Sequence, residues 1–355
     1  MVANSLPKVS SVIITMVTLL LIAACGEGAG TAGITRLEGR IFGTFYQVSV
    51  AEDLTQDQGN RLHERIRAIL DSVDRQMSTY RDDSDLSRLN GASVGSWVEL
   101  PQPLTNLLGR SRAISETTGG AFDITVGGLV NLWSFGPQAR PAKTPSEKAL
   151  KERLAETGYR NIELEADSGR ARRLTDVSVD LSAIAKGHAV DRVGALLEEE
   201  RHRDFLVNIG GDLLARGRKA SGKAWRIGIE VPDDGEQTAR HILPLSDIAL
   251  ATSGDYRNYF EEDGQRYSHI IDPRDGRPVQ HQLASVSVFH EETTMADALA
   301  TAFMVMGEDR ALTYARGEDV GALLIERHQD GFRTRLSPAL EQMLDDDVRA
   351  RLETD

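Results

Sequence analysis

The chain has 355 residues, of which 40% are hydrophobic and 27% charged, so it is long enough and apolar enough to bury a sizeable core. Its formal net charge of −13, with no basic stripe or basic tail, argues against a nucleic-acid-binding protein. Its single cysteine, Cys25, excludes an intramolecular disulfide framework and argues against a zinc–thiolate site.

Residues 1–24 are typical of an export signal. They contain Lys8 and then an uncharged apolar run over 12–22 that is too short to span a membrane. The run ends in IAAC, which resembles the lipobox of bacterial lipoproteins, in which the cysteine is lipidated and becomes the mature N-terminus. We therefore predict a signal peptide over 1–24 and a lipid-anchored flexible tether over 25–36. The alternative is a plain signal peptide with a chance cysteine.

Short, clearly patterned elements follow the tether. Leu37–Val50 is rich in β-forming residues and predicts a strand broken at Gly43. Gln56–Tyr80 and Leu104–Thr118 place apolar residues at helical spacing, so each predicts an amphipathic helix. The polar stretch Ser78–Asn90 between them predicts a solvated loop.

A glycine- and aromatic-rich stretch, GAFDITVGGLVNLWSFG, then surrounds a lone acid, Asp123. After it, Thr144, Pro145 and Glu147 match a capping box, with Thr144 as the N-cap of a helix that ends at Gly158.

The most informative stretch is Val179–Val193, which reads VDLSAIAKGHAVDRV. An apolar run ends in Asp180, and Lys186-Gly187 then opens a helical pattern. Backbone N–H groups and the positive end of the helix dipole collect at such a position, so the stretch predicts an anion site. The alternative is a strand–helix junction whose Lys186 points into water.

The next part of the chain predicts strands without alternating helices, which favours an antiparallel or mixed sheet in an α+β fold. The predicted strands are Phe205–Gly211, Trp225–Val231, Ile248–Thr252, Tyr267–Ile271 and Ala284–Phe289. The stretch Gly217–Lys223 resembles part of a P-loop, but Ala224 replaces the required Ser or Thr and a strand pattern follows. We interpret it as a hairpin loop.

An apolar helix is predicted over Thr294–Gly307, and Asp297 is its only charge. Thr301 lies one turn later on the same face, and a buried carboxylate needs a cation or several donors. Carboxylate, hydroxyl and carbonyl oxygens are the ligands that Mg²⁺ or Ca²⁺ prefers. The alternative is an acid that caps the first turn of its own helix. We predict one folded domain over 37–345 and a C-terminal tail over 346–355.

Eight motifs in order resemble the ApbE family of FAD:protein FMN transferases. They are FGTFYQV, MSTYRDDSDLSRLN, GAFDITVGGLVNLWSFG, VDLSAIAKGHAVDRV, VNIGGD, ATSGDYRNYF, HIIDPRDGRP and ADALATAFMVMG. The resemblance runs from about residue 37 to residue 310. It implies an α+β, T-fold-like architecture with helices packed on the sheet. Phe42 and His188 depart from the family, which usually has methionine and often tyrosine there.

The resemblance also implies a set of site residues. For FAD binding they are Phe42, Tyr80, Ala121, Phe122, Asp123, Asp180, Lys186 and Ile271. For Mg²⁺ they are Ala183, through its backbone oxygen, and Asp297, Ala300 and Thr301. His269 in HIIDP is the candidate base, and Asp297 and His269 are the residues expected to carry catalysis. A structural role in a strand is the alternative for His269.

The expected function is Mg²⁺-dependent transfer of FMN from FAD to a Thr or Ser side chain of an envelope redox protein, forming a phosphoester and releasing AMP. By family analogy the acceptors are subunits of Rnf-type complexes or sodium-pumping quinone reductases. The expected location is the bacterial cell envelope, lipid-anchored and facing the periplasm. Two alternatives stay open: an FAD pyrophosphatase that frees FMN, and a non-catalytic flavin-binding lipoprotein.

Overall fold

A computed structural model describes residues 33–138, 141–230, 239–329 and 331–353, which belong to one compact unit. The predicted signal peptide, Cys25 and most of the predicted tether lie outside the described residues. Among the residues that are described, none of the helices has both the length and the apolar character needed to cross a membrane.

Helices account for much of the first half of this unit and for its C-terminal end. They are α1 (Gln56–Met77), α2 (Asp85–Gly91), α3 (Gln102–Thr117), α4 (Gly127–Leu132), α5 (Glu147–Glu156), α6 (Ala185–Glu199), α7 (Thr293–Met306), α8 (Glu308–Gly317), α9 (Pro338–Met343) and α10 (Asp346–Glu353).

The strands form one large sheet and three small ones. They are β1 (Thr35–Ile41), β2 (Thr44–Val50), β3 (Val98–Glu99), β4 (Ile162–Glu165), β5 (Arg170–Arg173), β6 (Phe205–Ile209), β7 (Asp212–Arg216), β8 (Trp225–Glu230), β9 (Ala239–Leu245), β10 (Ile248–Gly254), β11 (Tyr259–Glu262), β12 (Gln265–Ser268), β13 (Leu283–His290), β14 (Gly321–His328) and β15 (Gly331–Leu336). The large sheet has the order β1-β2-β6-β7-β10-β13-β14-β15 and is antiparallel throughout. The α+β class predicted from the sequence is confirmed.

The large sheet is covered on both faces. Helices α6 and α7 pack on one face, where Leu214 of β7 belongs to the main core. Its neighbours Leu213 and Ala215 point to the other face, because side chains alternate along a strand. That second face is covered by the β8–β9 hairpin, α9 and α10.

The predicted break at Gly43 is a two-residue hairpin turn. Phe42 and Gly43 have φ values of 52° and 72°, and Ile41 pairs with Thr44. Positive φ at both central residues is the type I′ geometry, which matches the twist of paired strands. The single broken strand predicted over 37–50 is therefore two paired strands.

The helix α1 buries the predicted apolar stripe, and α3 lies where the second helix was predicted. The loop predicted over Ser78–Asn90 is wrong in its second half, which forms α2. Ser84 caps this helix by accepting a hydrogen bond from Ser87 N, and Leu86 and Leu89 are buried. A local cap and two apolar anchors thus outweigh the polar composition.

Three further expectations need correction. The N-cap of α5 is Ser146, whose hydroxyl accepts from Ala149 N, and not Thr144. The loop at 217–224 joins β7 to β8, which lie in different sheets, so it is not a hairpin loop. The predicted C-terminal tail forms α10, whose Val348 and Leu352 are buried against the second face of the large sheet. The folded body therefore continues to residue 353.

Candidate active site

A cavity of about 450 Å³ opens where the first turn of α6, the middle of α7 and strand β10 meet. It collects residues from stretches far apart in the chain. The predicted site residues that line it are Tyr80, Ala121, Phe122, Asp123, Asp180, Ala183, Lys186, His269, Ile271, Asp297 and Thr301. The fold therefore brings most of the predicted site together.

Lys186 lies in the first turn of α6, and its ammonium group is held between two carboxylates. Its Nζ donates to Asp212, and it lies 3.5 Å from Asp297 Oδ1. Burial on its own lowers the pKa of Lys186, but the attraction of the two carboxylates outweighs burial and raises the pKa overall. Lys186 is thus a fixed cation inside the cavity. The alternative in which it points into water is wrong.

Asp212 is a site residue that sequence reasoning missed. It starts β7 directly after the Gly210-Gly211 turn and is 1% exposed. Burial and the nearby Asp297 raise the pKa of its carboxyl to about 7, against the opposing effect of Lys186. The available signal was an acid at the end of the VNIGGD motif, immediately after a buried strand.

Asp297 connects α7 to the start of α6. Its Oδ2 accepts a 3.0 Å hydrogen bond from the backbone N–H of Gly187. Gly187 has no room for a side chain, because a Cβ there would lie 2.4 Å from the carbonyl oxygen of Thr293. The two helices therefore touch at this glycine, and Asp297 binds α6 rather than capping its own helix.

The cap of α7 comes from α6. Asp191 Oδ1 accepts from Thr293 N and Asp191 Oδ2 accepts from Thr294 N, each at 2.8 Å. These two N–H groups belong to the first turn of α7 and have no partner within that helix. The Asp191 carboxylate thus fixes the end of the helix that carries Asp297. Sequence reasoning did not find this role.

The oxygen atoms near Asp297 suit a hard cation. Thr301 lies one turn later on α7, and its hydroxyl is 3.2 Å from the hydroxyl of Ser253 on β10. Ala183 lines the same cavity just before α6. Across the described ranges there is no cluster of three or more His, Cys, Asp or Glu side chains able to hold a metal ion. This donor set fits Mg²⁺, which keeps several ligands from water or substrate phosphates and needs only one or two protein carboxylates.

His269 lies just after β12 and lines the cavity. Its Nδ1 is 3.1 Å from the carbonyl oxygen of Asn258, so Nδ1 carries the proton and Nε2 carries a lone pair. Burial lowers the pKa of His269 below its usual 6.5, although the bond to Asn258 opposes the change. A neutral imidazole with one open nitrogen can accept a proton at pH 7.

The two remaining predicted acids are partly engaged with their own loops. Asp123 accepts hydrogen bonds from Thr125 N, Thr125 Oγ1 and Tyr159 N, and burial raises its pKa. Asp180 accepts from the N–H and the hydroxyl of Ser182. Both carboxylates shape the turns that form the cavity wall.

Two predicted residues do not line the cavity. Ala300 is fully buried in α7, between the turns that carry Asp297 and Thr301. Phe42 is at the tip of the β1–β2 hairpin and packs on the main core. The tip of this hairpin still lies beside the cavity, because Thr44 packs against Gly210 and Gly210 is a cavity-lining residue.

Strand β10 and the loop after it supply further lining residues that the sequence did not single out, although they belong to the ATSGDYRNYF motif. They are Thr252, Ser253, Gly254, Tyr256, Arg257 and Asn258. Arg257 pairs with Glu230 of β8, which also lines the cavity. The cavity wall thus contains an ion pair in addition to Lys186 and its two acids.

Comparison with known proteins gives one consistent answer. The family model described as "ApbE family" matches residues 42–324. The chain is 40% identical over 342 residues to an FAD:protein FMN transferase of Haemophilus influenzae, covering 95% of this chain and 98% of the relative. It is similar to the solved structure of the flavin transferase ApbE from Vibrio cholerae, with a TM-score of 0.81 and 37% identity over 88% of this chain and 99% of that one. The apo flavinyl transferase ApbE of Pseudomonas stutzeri gives a TM-score of 0.80 and 37% identity over 87% and 96%.

Proposed function

The chain belongs to the ApbE family, and from that premise we propose that its cavity binds FAD beside Mg²⁺ and passes FMN to a Thr or Ser hydroxyl of an envelope redox protein. The chain is an enzyme of the FAD:protein FMN transferase type. The bond formed is a phosphoester and the second product is AMP.

The observation that carries this proposal is the arrangement of Lys186, Asp212 and Asp297 at the first turn of α6. The pyrophosphate of FAD is a dianion, and an ammonium group next to a helix N-terminus attracts it. The two carboxylates hold Lys186 in place before substrate arrives. Phosphoryl-type transfer depends mainly on such positioning and charge stabilisation.

The residues expected to hold Mg²⁺ are Asp297 and Thr301, with backbone oxygens of Ala183 and Ala300. A bound Mg²⁺ would neutralise charge on the phosphates. Asp297 supplies the only carboxylate of this set and also accepts from Gly187, so the metal site and the start of α6 are coupled. The neighbouring Asp212 also contacts Lys186 and orients that cation.

His269 is the proposed general base. Its Nε2 accepts the proton of the acceptor hydroxyl while the hydroxyl oxygen attacks the phosphorus of the FMN half of FAD. A new P–O bond forms as the P–O bond to the AMP phosphate breaks, so AMP leaves with the electron pair of that bond. The carbonyl of Asn258 keeps the imidazole in the tautomer that this step requires.

We propose that the mature protein is anchored to a membrane of the bacterial envelope by a lipid on Cys25 and faces the periplasm. The support is the lipobox-like IAAC and the glycine-rich stretch after it. Acceptor subunits of Rnf-type or sodium-pumping quinone reductase complexes would be reached from such a position.

The deciding experiment incubates the enzyme with FAD, Mg²⁺ and a periplasmic acceptor domain, and measures the mass of the acceptor and the yield of AMP. A transferase attaches FMN covalently and releases AMP in equal amount, and neither product forms without acceptor. Equal amounts of free FMN and AMP without acceptor would identify a pyrophosphatase instead. Tight FAD binding with no AMP under either condition would leave only a flavin carrier.

A further inference from the structure

A strongly cationic surface lies apart from the flavin cavity, on a molecule whose net charge is −13. It is a surface cavity of about 620 Å³ lined by Lys219, Lys223, Arg226 and Arg351 and by the apolar residues Ile242 and Pro244. No acidic side chain of the described residues lines it. We refer to these six residues as the basic face.

Three cations of the basic face, Lys219, Lys223 and Arg226, are available to an external partner. Lys223 and Arg226 are exposed, and Lys219, Lys223 and Arg226 form no ion pair within the described part of the chain. By contrast, neighbouring arginines such as Arg216 and Arg257 pair with glutamates. Ile242 is 43% exposed among the cations, so an apolar side chain accompanies the charge.

The basic face is built on a rigid support. In the β8–β9 hairpin Arg226 pairs with Pro244 and Gly228 pairs with Ile242. The alternate residues of both strands, including Ile227 and Leu243, are buried in the second core. Because side chains alternate along paired strands, Arg226 and Ile242 lie on the outer side of the hairpin.

The chain emerges from the predicted tether next to this face. Gly33, the first described residue, packs so closely against Ala220 that a Cβ on Gly33 would lie 2.8 Å from the Cβ of Ala220. Ala220 is flanked by Lys219 and lies three residues before Lys223. From Cys25 to Gly33 a fully extended chain reaches at most about 28 Å. A lipid on Cys25 would therefore hold this side of the protein close to the membrane surface.

We propose that the basic face docks on the anionic phospholipid headgroups of the membrane that carries the anchor, an inference that rests on the proposed lipidation of Cys25. Basic residues next to an anchored segment are attracted to anionic lipid, and one lipid chain alone gives only reversible binding. Gly228 and Glu230, on the same outer side of β8, line the flavin cavity. Docking thus holds the cavity close to the membrane surface, since its lining residues on β8 lie about 7 to 13 Å along the strand from Arg226.

The test uses the mature chain from Gly26 without lipid, which contains every described residue, and flotation with phospholipid vesicles. The wild-type protein should bind anionic vesicles of phosphatidylcholine with phosphatidylglycerol, and it should dissociate from them at high salt. It should not bind vesicles of pure phosphatidylcholine. The double variant Lys223→Gln/Arg226→Gln should bind roughly 30-fold more weakly. The matched control Lys148→Gln/Lys151→Gln removes two exposed lysines of α5, which lines no part of this cavity, and should bind like wild type.

The assay needs neither FAD nor acceptor, so its outcome is independent of the transferase assay. FMN transfer to a soluble acceptor should be unchanged in Lys223→Gln/Arg226→Gln, which verifies that the variant is folded. Equal binding to anionic and neutral vesicles would overturn the proposal. The proposal would also be overturned if Lys223→Gln/Arg226→Gln lost acceptor flavinylation in solution but kept its lipid binding. The basic face would then recognise an acidic acceptor protein and not lipid.

Discussion

At the scale of single residues, the site is organised around one cation and two acids. Lys186 contacts Asp212 and lies 3.5 Å from Asp297, while Asp297 also accepts from the backbone of Gly187. Each group therefore has a partner before substrate binds, which avoids the free-energy cost of a lone buried charge. The two acids have different tasks, since Asp212 orients the lysine and Asp297 faces the oxygen donors.

The charge of Asp297 can be removed without changing its shape. Asp297→Asn should lower Mg²⁺-dependent AMP release by roughly 100-fold or more, because the proposed metal site loses its only carboxylate. Thr301→Ala should do less harm, since water replaces a neutral ligand. The measurement is the initial rate as a function of Mg²⁺ concentration. A normal rate for Asp297→Asn at low Mg²⁺ would show that the metal lies elsewhere.

The protonation of His269 should determine how the transfer rate depends on pH. Burial lowers the pKa of His269 below 6.5, so the imidazole is neutral and competent at pH 7. The rate should stay level at neutral pH and fall as pH drops through that lowered pKa, because the protonated ring cannot accept a proton. His269→Asn should slow transfer by ~10²–10⁴-fold and remove this acid limb. An unchanged acid limb in the variant would assign the titration to another group.

At the scale of elements, α6 and α7 act as one unit. Asp191 of α6 caps α7, Asp297 of α7 accepts from the first turn of α6, and Gly187 is the point of closest approach. Lys186 and Asp297 are therefore positioned by the same helix pair. A disturbance of that pair should reach the proposed metal site before it reaches the rest of the fold.

Removal of the shared cap tests this coupling. Asp191→Ala should lower the free energy of unfolding by about 1–2 kcal/mol, the usual cost of a lost N-cap. It should also raise the Mg²⁺ concentration needed for half-maximal rate while leaving the rate at saturating Mg²⁺ nearly unchanged. The control is Thr55→Ala, which removes the cap of α1. If both variants lose stability but neither changes the Mg²⁺ requirement, Asp191 has only a structural role.

The contact at Gly187 makes a separate prediction about packing. In Gly187→Ala the new methyl group would lie 2.4 Å from the Thr293 carbonyl oxygen, so α6 and α7 must move apart. We expect a loss of about 1–3 kcal/mol in the free energy of unfolding, measured by urea denaturation. Gly109→Ala on α3, where no atom lies within 4 Å of the new Cβ, is the control. Equal stability of the two variants would contradict the close approach.

At the scale of the whole molecule, the large antiparallel sheet lies between two structural layers, each of which carries a distinct surface region. On one face α6 and α7 build the charged end of the flavin site, and on the other the β8–β9 hairpin and α10 carry the basic face. The outer side of β8 joins the two, since Gly228 and Glu230 line the flavin cavity and Arg226 belongs to the basic face. The flavin cavity and the basic face are thus linked through a single strand.

Anchoring can be tested on the complete protein. Cys25→Ala should give an unlipidated chain that no longer incorporates a fatty-acid probe and leaves the membrane fraction when salt is raised. The reason is that only the basic face would then hold it, and salt screens that attraction. The measurement is the distribution of protein between membrane and soluble fractions of cells. Probe incorporation that persists in Cys25→Ala would contradict the lipobox interpretation.

The sequence by itself determined the features that depend on neighbours along the chain. The helical spacing in Gln56–Met77 predicts α1, and the acid within an apolar run predicts a site residue on α7, because periodicity and local charge are properties of a continuous segment. The order of motifs identified the family, which the comparisons confirm. The resemblance to that family also named most of the residues that line the cavity.

Tertiary structure decided the partnerships between distant segments. Gly187 and Asp297 are 110 positions apart, and Asp191 and Thr293 are 102 apart, so no local pattern could pair them. Asp212 became a site residue, Ala300 stayed inside its helix, and α10 joined the core only through such contacts. Burial and hydrogen bonding depend on which residues are neighbours in space. A single sequence gives the residue type at each position but not which distant positions come into contact.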